Sequence, residues 1–149
     1  MPEFETARHQ LPRLAVSQAQ KEITHNEALA RIDALLHPVV QDQLAAPPML
    51  TELDFGKCWL ITGSPTGDWA GKPGQIAIWV AGSWRYSVAC EGMRIRLLSS
   101  GLDLVCIDGL WVAPPTIPNP MSGTLIDVEA RAAITALLEH LRALGIVAN

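Results

Sequence analysis

The strongest constraint on the fold is a stretch from residue 51 to 115 in which short apolar runs alternate with turn residues. Runs of this length, bounded by Gly, Asp, Ser and Pro, are typical of β-strands. They predict about six strands, at residues 57–62, 75–80, 83–89, 93–98, 102–107 and 110–113. The Asp108-Gly109 pair predicts a two-residue hairpin, because both residues tolerate the positive φ that matches strand twist. We therefore expect a small antiparallel β meander.

A weak internal repeat lies within this stretch. Residues 78–84 (IWVAGSW) align with residues 105–111 (VCIDGLW), and each copy has an apolar strand, a glycine turn and a tryptophan. The repeat predicts two similar hairpins. Two copies are too few to indicate a solenoid.

An amphipathic helix is predicted before the meander. Ser17 and Gln20 have the spacing of a capping box, so the helix begins near Ser17. Pro38 disfavours helical geometry in the residue before it, so the helix ends near Leu36 or His37. Its apolar positions fall three and four residues apart, at Ala28, Leu29, Ile32, Leu35, Leu36 and Val39. Residues 41–48 end in Ala-Ala-Pro-Pro and predict a stiff linker.

A second helix is predicted after a proline-rich linker at residues 114–123. Thr124 and Asp127 are spaced as a capping box, or Asp127 is itself the N-cap, and Gly145 is placed to end the helix. Four residues repeat by three and four, as in the a/d seam of a coiled coil: Ile134, Leu137, Leu141 and Leu144. A seam this short is marginal alone in water, so we expect it to assemble in an oligomer.

These elements predict one α+β protomer. A chain of 149 residues buries one modest core and is too short for two ordinary domains. We divide it into an N-terminal arm and helix with its linker (1–48), a tryptophan-rich β module (49–115), and a linker with the C-terminal helix (116–149). The low charged content of 17% leaves apolar surface for a partner chain, and self-association is the simplest use of it.

Several partners are disfavoured by composition. The net charge is −4 and the Lys and Arg residues are scattered, so direct nucleic-acid binding is not expected. The first residues lack the apolar core of a signal peptide, which predicts a cytosolic start. No apolar run is long enough for a membrane span. The three cysteines lack CxxC spacing and are expected to be buried free thiols.

We expect no enzymatic activity. The four histidines have no spacing that gathers metal ligands, so no metal site is predicted. The chain has no Gly-x-Ser-x-Gly elbow, and the loop at residues 63–67 lacks the Lys-Ser/Thr ending of a phosphate cradle. A glycosidase carboxylate pair remains an open alternative, since sequence spacing cannot place two acids opposite each other. No catalytic residue and no cofactor is predicted.

Five tryptophans in the β module offer an alternative function: Trp59, Trp69, Trp79, Trp84 and Trp111. Flat aromatic side chains fill cores and subunit interfaces, and they also form platforms against sugar rings. In the second case Trp79, Trp84 and Trp111 stack on host surface polysaccharide, and the chain is a carbohydrate-binding module.

Segments along nearly the whole chain resemble an uncharacterised-domain family of alphaproteobacterial prophages and gene-transfer agents. The N-terminal likeness lies in residues 11–21 (LPRLAVSQAQK) and 24–29 (THNEAL). The body of the family is similar to residues 67–71 (GDWAG), 74–77 (GQIA) and 82–84 (GSW). Its tail resembles residues 126–134 (IDVEARAAI) and 141–145 (LRALG).

The resemblance implies a virion structural protein without catalytic residues: a head spike, tail fibre or fibre-base adaptor of a phage-like particle assembled in the bacterial cytoplasm. It implies that the N-terminal helix docks on a capsid, tail or fibre protein through Leu29, Ile32 and Leu36, since an amphipathic helix can lie in a groove. Host attachment then depends on a symmetric homo-oligomer, with a trimer favoured and a pentamer open.

Overall fold

The computed structural model describes residues 5–14, 21–80, 82–121, 123 and 127–148. Helix α1 is Lys21–Leu35 and helix α2 is Val128–Ala143. Between them lie β1 (Val39–Val40), β2 (Gln43–Leu44), β3 (Cys58–Ile61), β4 (Ile76–Val80), β5 (Ser83–Ser87), β6 (Arg94–Leu97), β7 (Leu102–Ile107) and β8 (Leu110–Val112). The predicted α+β fold, with a helix towards each end, is confirmed. The predicted capping residues Ser17, Gln20 and Thr124 lie outside the described residues.

The strands β3 to β8 fall within the six predicted runs. Within the described residues, neighbouring strands form four antiparallel pairs: β3–β4, β4–β5, β6–β7 and β7–β8. Asp108 has φ 50° and Gly109 has φ 76°, so both residues of the last turn adopt the left-handed region that the Asp-Gly pair predicts. Ile107 and Leu110 pair directly across that turn.

The strands divide into two mixed sheets, which the sequence pattern did not predict. One sheet has the order β1-β6-β7-β8 and the other β2-β3-β4-β5. Edge strand β1 pairs in parallel with β6, and edge strand β2 pairs in parallel with β3. The first lies just before the segment predicted to be a linker, and the second lies inside it. Two-residue strands are too short to show an alternation, so only the tertiary pairing reveals them. The segment from Val39 to Leu44 thereby links the two sheets.

The sheets share one hydrophobic core. Alternate residues of β3 and β4 meet residues of β1, β6 and β7, and Ala34 of α1 joins them. The buried set is Ala34, Val40, Cys58, Leu60, Ile76, Ile78, Ile95, Leu97 and Leu104. Apolar burial of this kind is the main favourable term in folding, so each sheet is stabilised by packing against the other.

Helix α1 packs on its own β module through small residues. Ala30, Asp33 and Ala34 are buried, and the alanines let the helix backbone approach the sheet. The larger apolar residues lie elsewhere, because Ile32 is 51% exposed and Leu36 is 46% exposed. Half of the predicted apolar stripe is therefore exposed, whereas Leu35 packs against the shared core.

The Asp33 carboxylate fixes the N-terminal arm to α1. Its oxygens accept hydrogen bonds from the Thr6 hydroxyl (2.7 Å) and from the backbone N–H groups of Arg8 (2.8 Å) and His9 (2.6 Å). The Arg8 guanidinium donates to the carbonyl oxygens of Asp33, Ala34 and His37. These carbonyls have no partner within the helix, so the arm caps the C-terminus of α1.

Helix α2 is attached to the β module at its C-terminal end. Asp127 is its N-cap and accepts from the N–H of Ala130 (2.9 Å). Gly145 ends it with φ 73°, and a Cβ there would lie 2.4 Å from the carbonyl oxygen of Gly101. The Arg96 guanidinium donates to the carbonyl of Leu144 (2.8 Å). Gly145 is therefore required both for the backbone turn and for close contact with the β6–β7 turn.

Neither described helix has the length and apolar character needed to cross a bilayer.

We predict that Asp33→Ala lowers the free energy of unfolding by about 2–3 kcal/mol, because the change removes a buried charged acceptor of three hydrogen bonds. Urea unfolding of the full chain measures the loss. Glu27→Ala is the control, because Glu27 forms one exposed ion pair with Arg85, worth less than about 1 kcal/mol. Equal losses in the two variants would contradict the role given to Asp33.

The cysteines differ in accessibility. Cys58 and Cys106 are buried, as expected, whereas Cys90 is exposed, so the expectation of a buried thiol is wrong there. Cys90 lies beyond the end of β5 in a loop, where an apolar neighbourhood in sequence does not imply burial. Burial raises the pKa of the Cys58 thiol to about 12.

We predict that iodoacetamide at pH 8 adds one label to the folded protein, at Cys90, and three labels after unfolding in urea. The thiolate is the reactive form, and the raised pKa keeps Cys58 protonated at pH 8. Mass spectrometry of the intact protein counts the labels. Rapid labelling of Cys58 in the folded protein would contradict this prediction.

Candidate functional site

The period-two alternation of β3, β4 and β5 builds an aromatic face on one sheet. Cys58, Leu60, Ile76 and Ile78 point into the shared core. The residues between them point to the other side of the sheet, where Trp59, Ile61, Trp69 and Ala77 form a second buried cluster. Trp79, Trp84 and Tyr86 pack against that cluster and stay half-buried. Because alternate strand residues face opposite sides, β3 and β4 supply both clusters, and β5 adds Trp84 and Tyr86 to the second.

Trp84 is the centre of a group of four tryptophans. Its ring centroid lies 5.5 Å from Trp59 and 5.1 Å from Trp69, with interplanar angles of 82° and 77°. Trp79, its cross-strand partner, lies 5.0 Å away at 59°. Edge-to-face pairs at these distances stabilise by about 0.5–1.5 kcal/mol beyond area burial. The buried pair Trp59 and Trp69 therefore supports the half-buried pair Trp79 and Trp84.

An open groove of about 610 Å³ runs along this face. We call it the aromatic groove, and it is lined by Pro47, Pro48, Leu50, Asp68, Trp79, Gly82, Ser83, Trp84 and Tyr86. A second depression of about 790 Å³ shares Leu50, Trp79 and Gly82 with it and continues past Thr51, Glu52, Leu53 and Phe55. The groove is thus open along its length and does not close into a pocket.

The two prolines form one wall of the groove. The carbonyl of Ala45 accepts from the N–H of Thr66 (2.8 Å), which ties the proline segment to the loop that carries Asp68. Pro47 also lies close to Gly67, since a Cβ at Gly67 would be 3.6 Å from the Pro47 ring. Proline fixes φ, so this wall is stiff.

Hydrogen bonds and charges hold the other wall. The Tyr86 hydroxyl donates to the backbone carbonyl of Asp68 (2.7 Å), and the Lys72 ammonium lies 4.5 Å from the centre of the Tyr86 ring. Burial, with a smaller effect of the Asp68 carboxylate, raises the pKa of Tyr86. Tyr86 therefore remains a neutral hydrogen-bonding group across the physiological pH range.

The turn at the far end of the groove is fixed by Asp54. Its carboxylate accepts from the Lys57 ammonium (2.8 Å) and from the N–H and hydroxyl of Thr51. The hydrogen bond from Lys57, and then those from Thr51, lower the pKa of Asp54 to about 2. The carboxylate is ionised at neutral pH, so it holds the turn next to Glu52 in one conformation.

Trp111 lies apart from the other residues predicted to stack on sugar. It packs against the core between the sheets, and its Nε1 donates to the carbonyl of Gly74 (2.9 Å). The structure therefore brings Trp79 and Trp84 together and places Trp111 elsewhere. The groove residues Asp68 and Tyr86 were missed, although the position of Tyr86 two residues after Trp84 was a usable signal.

The residues predicted for oligomerisation lie on one face of α2. Ile134, Leu137 and Leu144 are 46%, 58% and 48% exposed, and Leu141 is half-buried. Leu138, outside the predicted seam, is the buried residue of this helix. Of the residues predicted for docking, Ile32 of α1 and Leu36, which directly follows the helix, are exposed, and Leu29 is half-buried.

Within the described ranges, no group of three or more His, Cys, Asp or Glu side chains is arranged to hold a metal ion. The groove instead offers aromatic rings, a serine, a carboxylate and backbone groups. This arrangement can hold a ligand by packing and hydrogen bonds.

A family model described as a protein of unknown function (DUF2793) matches residues 25–112, more than half of the chain. The matched range contains both sheets and the aromatic groove, and it stops before α2. No curated protein matches this chain.

We predict that Trp84→Ala lowers the free energy of unfolding by about 3–5 kcal/mol, as expected for a large aromatic residue within a packed cluster. Trp79→Ala should lower the free energy of unfolding by less, because the Trp79 ring lies at the edge of the group and contacts Trp84. Urea unfolding followed by far-UV circular dichroism measures both. Leu53→Ala is the control and should change little, since Leu53 is exposed at the groove end. Equal losses for Trp79 and Trp84 would contradict the central role of Trp84.

Proposed function

The chain belongs to the family described as proteins of unknown function (DUF2793), and we propose that it is a non-enzymatic structural component of a phage or gene-transfer-agent particle. Its role there is that of a head spike, a tail fibre or a fibre-base adaptor, and it acts by oligomeric docking. The resemblance of its terminal and central segments to proteins of such particles supports this assignment. The structural observation that carries it is the exposed apolar face of α2.

Ile134, Leu137 and Leu144 leave about half of each side chain in contact with solvent. Burying apolar surface stabilises by about 25 cal/mol per Å², so a row of such residues favours contact with another chain. Their spacing by three and four matches a coiled-coil seam. A second copy of the same helix is the simplest partner, because it presents the same row.

The attachment of α2 supports assembly around an axis. The helix is held at its C-terminal end by Arg96 and by the bond from the N–H of Asp103 to the carbonyl of Gly145 (3.1 Å). An isolated helix of this length is marginally stable in water. Packing against the same helix of other copies would offset this low stability. Cyclic symmetry then repeats one weak contact several times, which raises attachment strength. A trimer is favoured, and a pentamer at a capsid vertex is the alternative.

The outer face of α1 is the proposed docking surface for a capsid, tail or fibre protein. Its inner face is occupied by contacts of Ala30, Asp33 and Ala34 within the same chain. Ile32 and Leu36 remain exposed beside Leu29, as an amphipathic helix lying in a partner's groove requires. This surface uses different residues from the α2 face.

Light scattering of the purified chain tests self-association. We expect about three times the 16.1 kDa of one chain for the trimer favoured by seams of this type, and a single-chain mass for Leu137→Glu, which puts a charge into the seam. Ala132→Glu adds the same charge to an exposed position on another face of α2 and should keep the oligomer. Ile32→Glu should also keep it.

Point variants are preferable to deletion of α2, because deletion also removes the hydrogen bonds that join Gly145 to Asp103 of β7 and Leu144 to Arg96 of β6. A wild-type mass of one chain at every concentration tested would overturn assembly through α2. So would a Leu137→Glu protein that keeps the wild-type mass.

A further inference from the structure

We propose that the aromatic groove binds a neutral oligosaccharide, with Trp79, Trp84 and Tyr86 as the stacking surface and Asp68 as a hydrogen-bond acceptor. The site lies within the β module and uses no residue of α2. The proposal therefore goes beyond the particle function and is independent of self-association.

The first argument is the partial exposure of the rings. Trp79, Trp84 and Tyr86 are half-buried along one side of a groove that also exposes Gly82 and Ser83. Aromatic side chains with a polar end are suited to ligands that have an apolar face and polar, hydrated edges. A sugar ring has this character, since its C–H groups lie on the faces and its hydroxyls project from the rim.

The second argument is preorganisation. Trp84 is held by edge-to-face contacts with the buried Trp59 and Trp69, and Tyr86 is held by its bond to the backbone of Asp68. Ordering side chains on binding costs about 0.5–1.5 kcal/mol for each one. Rings that are already fixed avoid most of this cost, which suits a weakly bound, repeated ligand.

The third argument is charge. The Asp68 carboxylate lines the groove and is exposed, and no described residue donates a hydrogen bond to it. Glu52 lines the adjoining depression. Ionised carboxylates accept strongly from hydroxyl groups, and they repel carboxylated or sulfated chains. The nearby Lys72 ammonium donates to the backbone carbonyls of Asp68 and Ala70 and lies against the Tyr86 ring, so one cation stands beside the two carboxylates. The charges therefore favour a neutral saccharide over an acidic one.

The fourth argument is shape. The groove of about 610 Å³ continues into a depression of about 790 Å³ across Leu50, Trp79 and Gly82. No described atom lies within 4 Å of the position that a Cβ on Gly82 would take, so the path is open at Gly82. An open path of this kind accommodates an internal stretch of a chain and does not require a chain end.

Indole N–H signals in a two-dimensional ¹H–¹⁵N NMR spectrum give a residue-specific test. The full chain is titrated with maltohexaose, cellohexaose and N-acetylchitohexaose. With at least one of them we expect saturable shifts of the Trp79 and Trp84 signals. The Trp111 signal is an internal control and should stay fixed, because its ring packs against the core between the sheets and its N–H is bonded to the Gly74 carbonyl.

Two variants test the contacts. Tyr86→Ala should weaken binding by at least about tenfold, which corresponds to about 1.4 kcal/mol. Asp68→Asn keeps the side-chain shape and should weaken binding roughly fivefold, since the stronger charge-assisted bond is lost. Leu110→Ala, at an exposed position on the other sheet, should bind as the wild type does. If Tyr86→Ala does not fold, Asp68→Asn decides the result.

Four outcomes would overturn the proposal. The first is no shift with any of the three hexasaccharides, and the second is a set of shifts centred on Trp111. The third is tighter binding of dextran sulfate than of the neutral saccharides. The fourth is saturable binding of hexaproline in the groove when none of the saccharides binds there. None of these outcomes changes the mass measured by light scattering. The experiments therefore distinguish failure of the saccharide site from failure of self-association through α2.

Discussion

The structure depends on the alternation of side chains along β3, β4 and β5. One set of residues enters the core shared by the two sheets, and the other set builds the tryptophan cluster on the opposite side. The residues of β3 and β4 therefore all pack on one of two surfaces, and β5 adds Trp84 and Tyr86 to the second. Trp84 unites the second surface through contacts with three other rings. The groove is a consequence, because the half-buried rings remain where the cluster meets solvent.

The chain segments outside the meander complete this core and do not form separate domains. The segment from Val39 to Leu44 adds a parallel edge strand to each sheet, and α1 covers the core with its alanine face. The N-terminal arm is held by Asp33 in turn. The small residues Ala30 and Ala34 and the buried Asp33 carboxylate thus orient α1 on the β module. In this orientation Ile32 and Leu36 are exposed to solvent.

The two proposed roles use different parts of the molecule. The face of α2 with Ile134 and Leu137 is proposed for assembly, and the aromatic groove for a saccharide. The family match ends at residue 112, so it covers the groove and leaves out α2. If both proposals hold, an oligomer presents several copies of one shallow site, and avidity offsets the modest affinity that an open groove provides.

Local patterns in the sequence determined the α+β class, the six longer strands, the Asp108-Gly109 turn and the stop of α2 at Gly145. They left two alternatives for the start of α2, of which the structure has Asp127 as the N-cap. These features depend on propensity and turn chemistry within a few residues. The pairing of β1 and β2 and the separation of Trp111 from Trp84 were decided by the tertiary structure. The repeat that aligns Trp84 with Trp111 specifies the same hairpin twice, yet one ring lies on the outer aromatic face and the other against the core. Alternation in sequence states which residues share a face of a strand, and only the packing of one sheet on the other decides which face is buried.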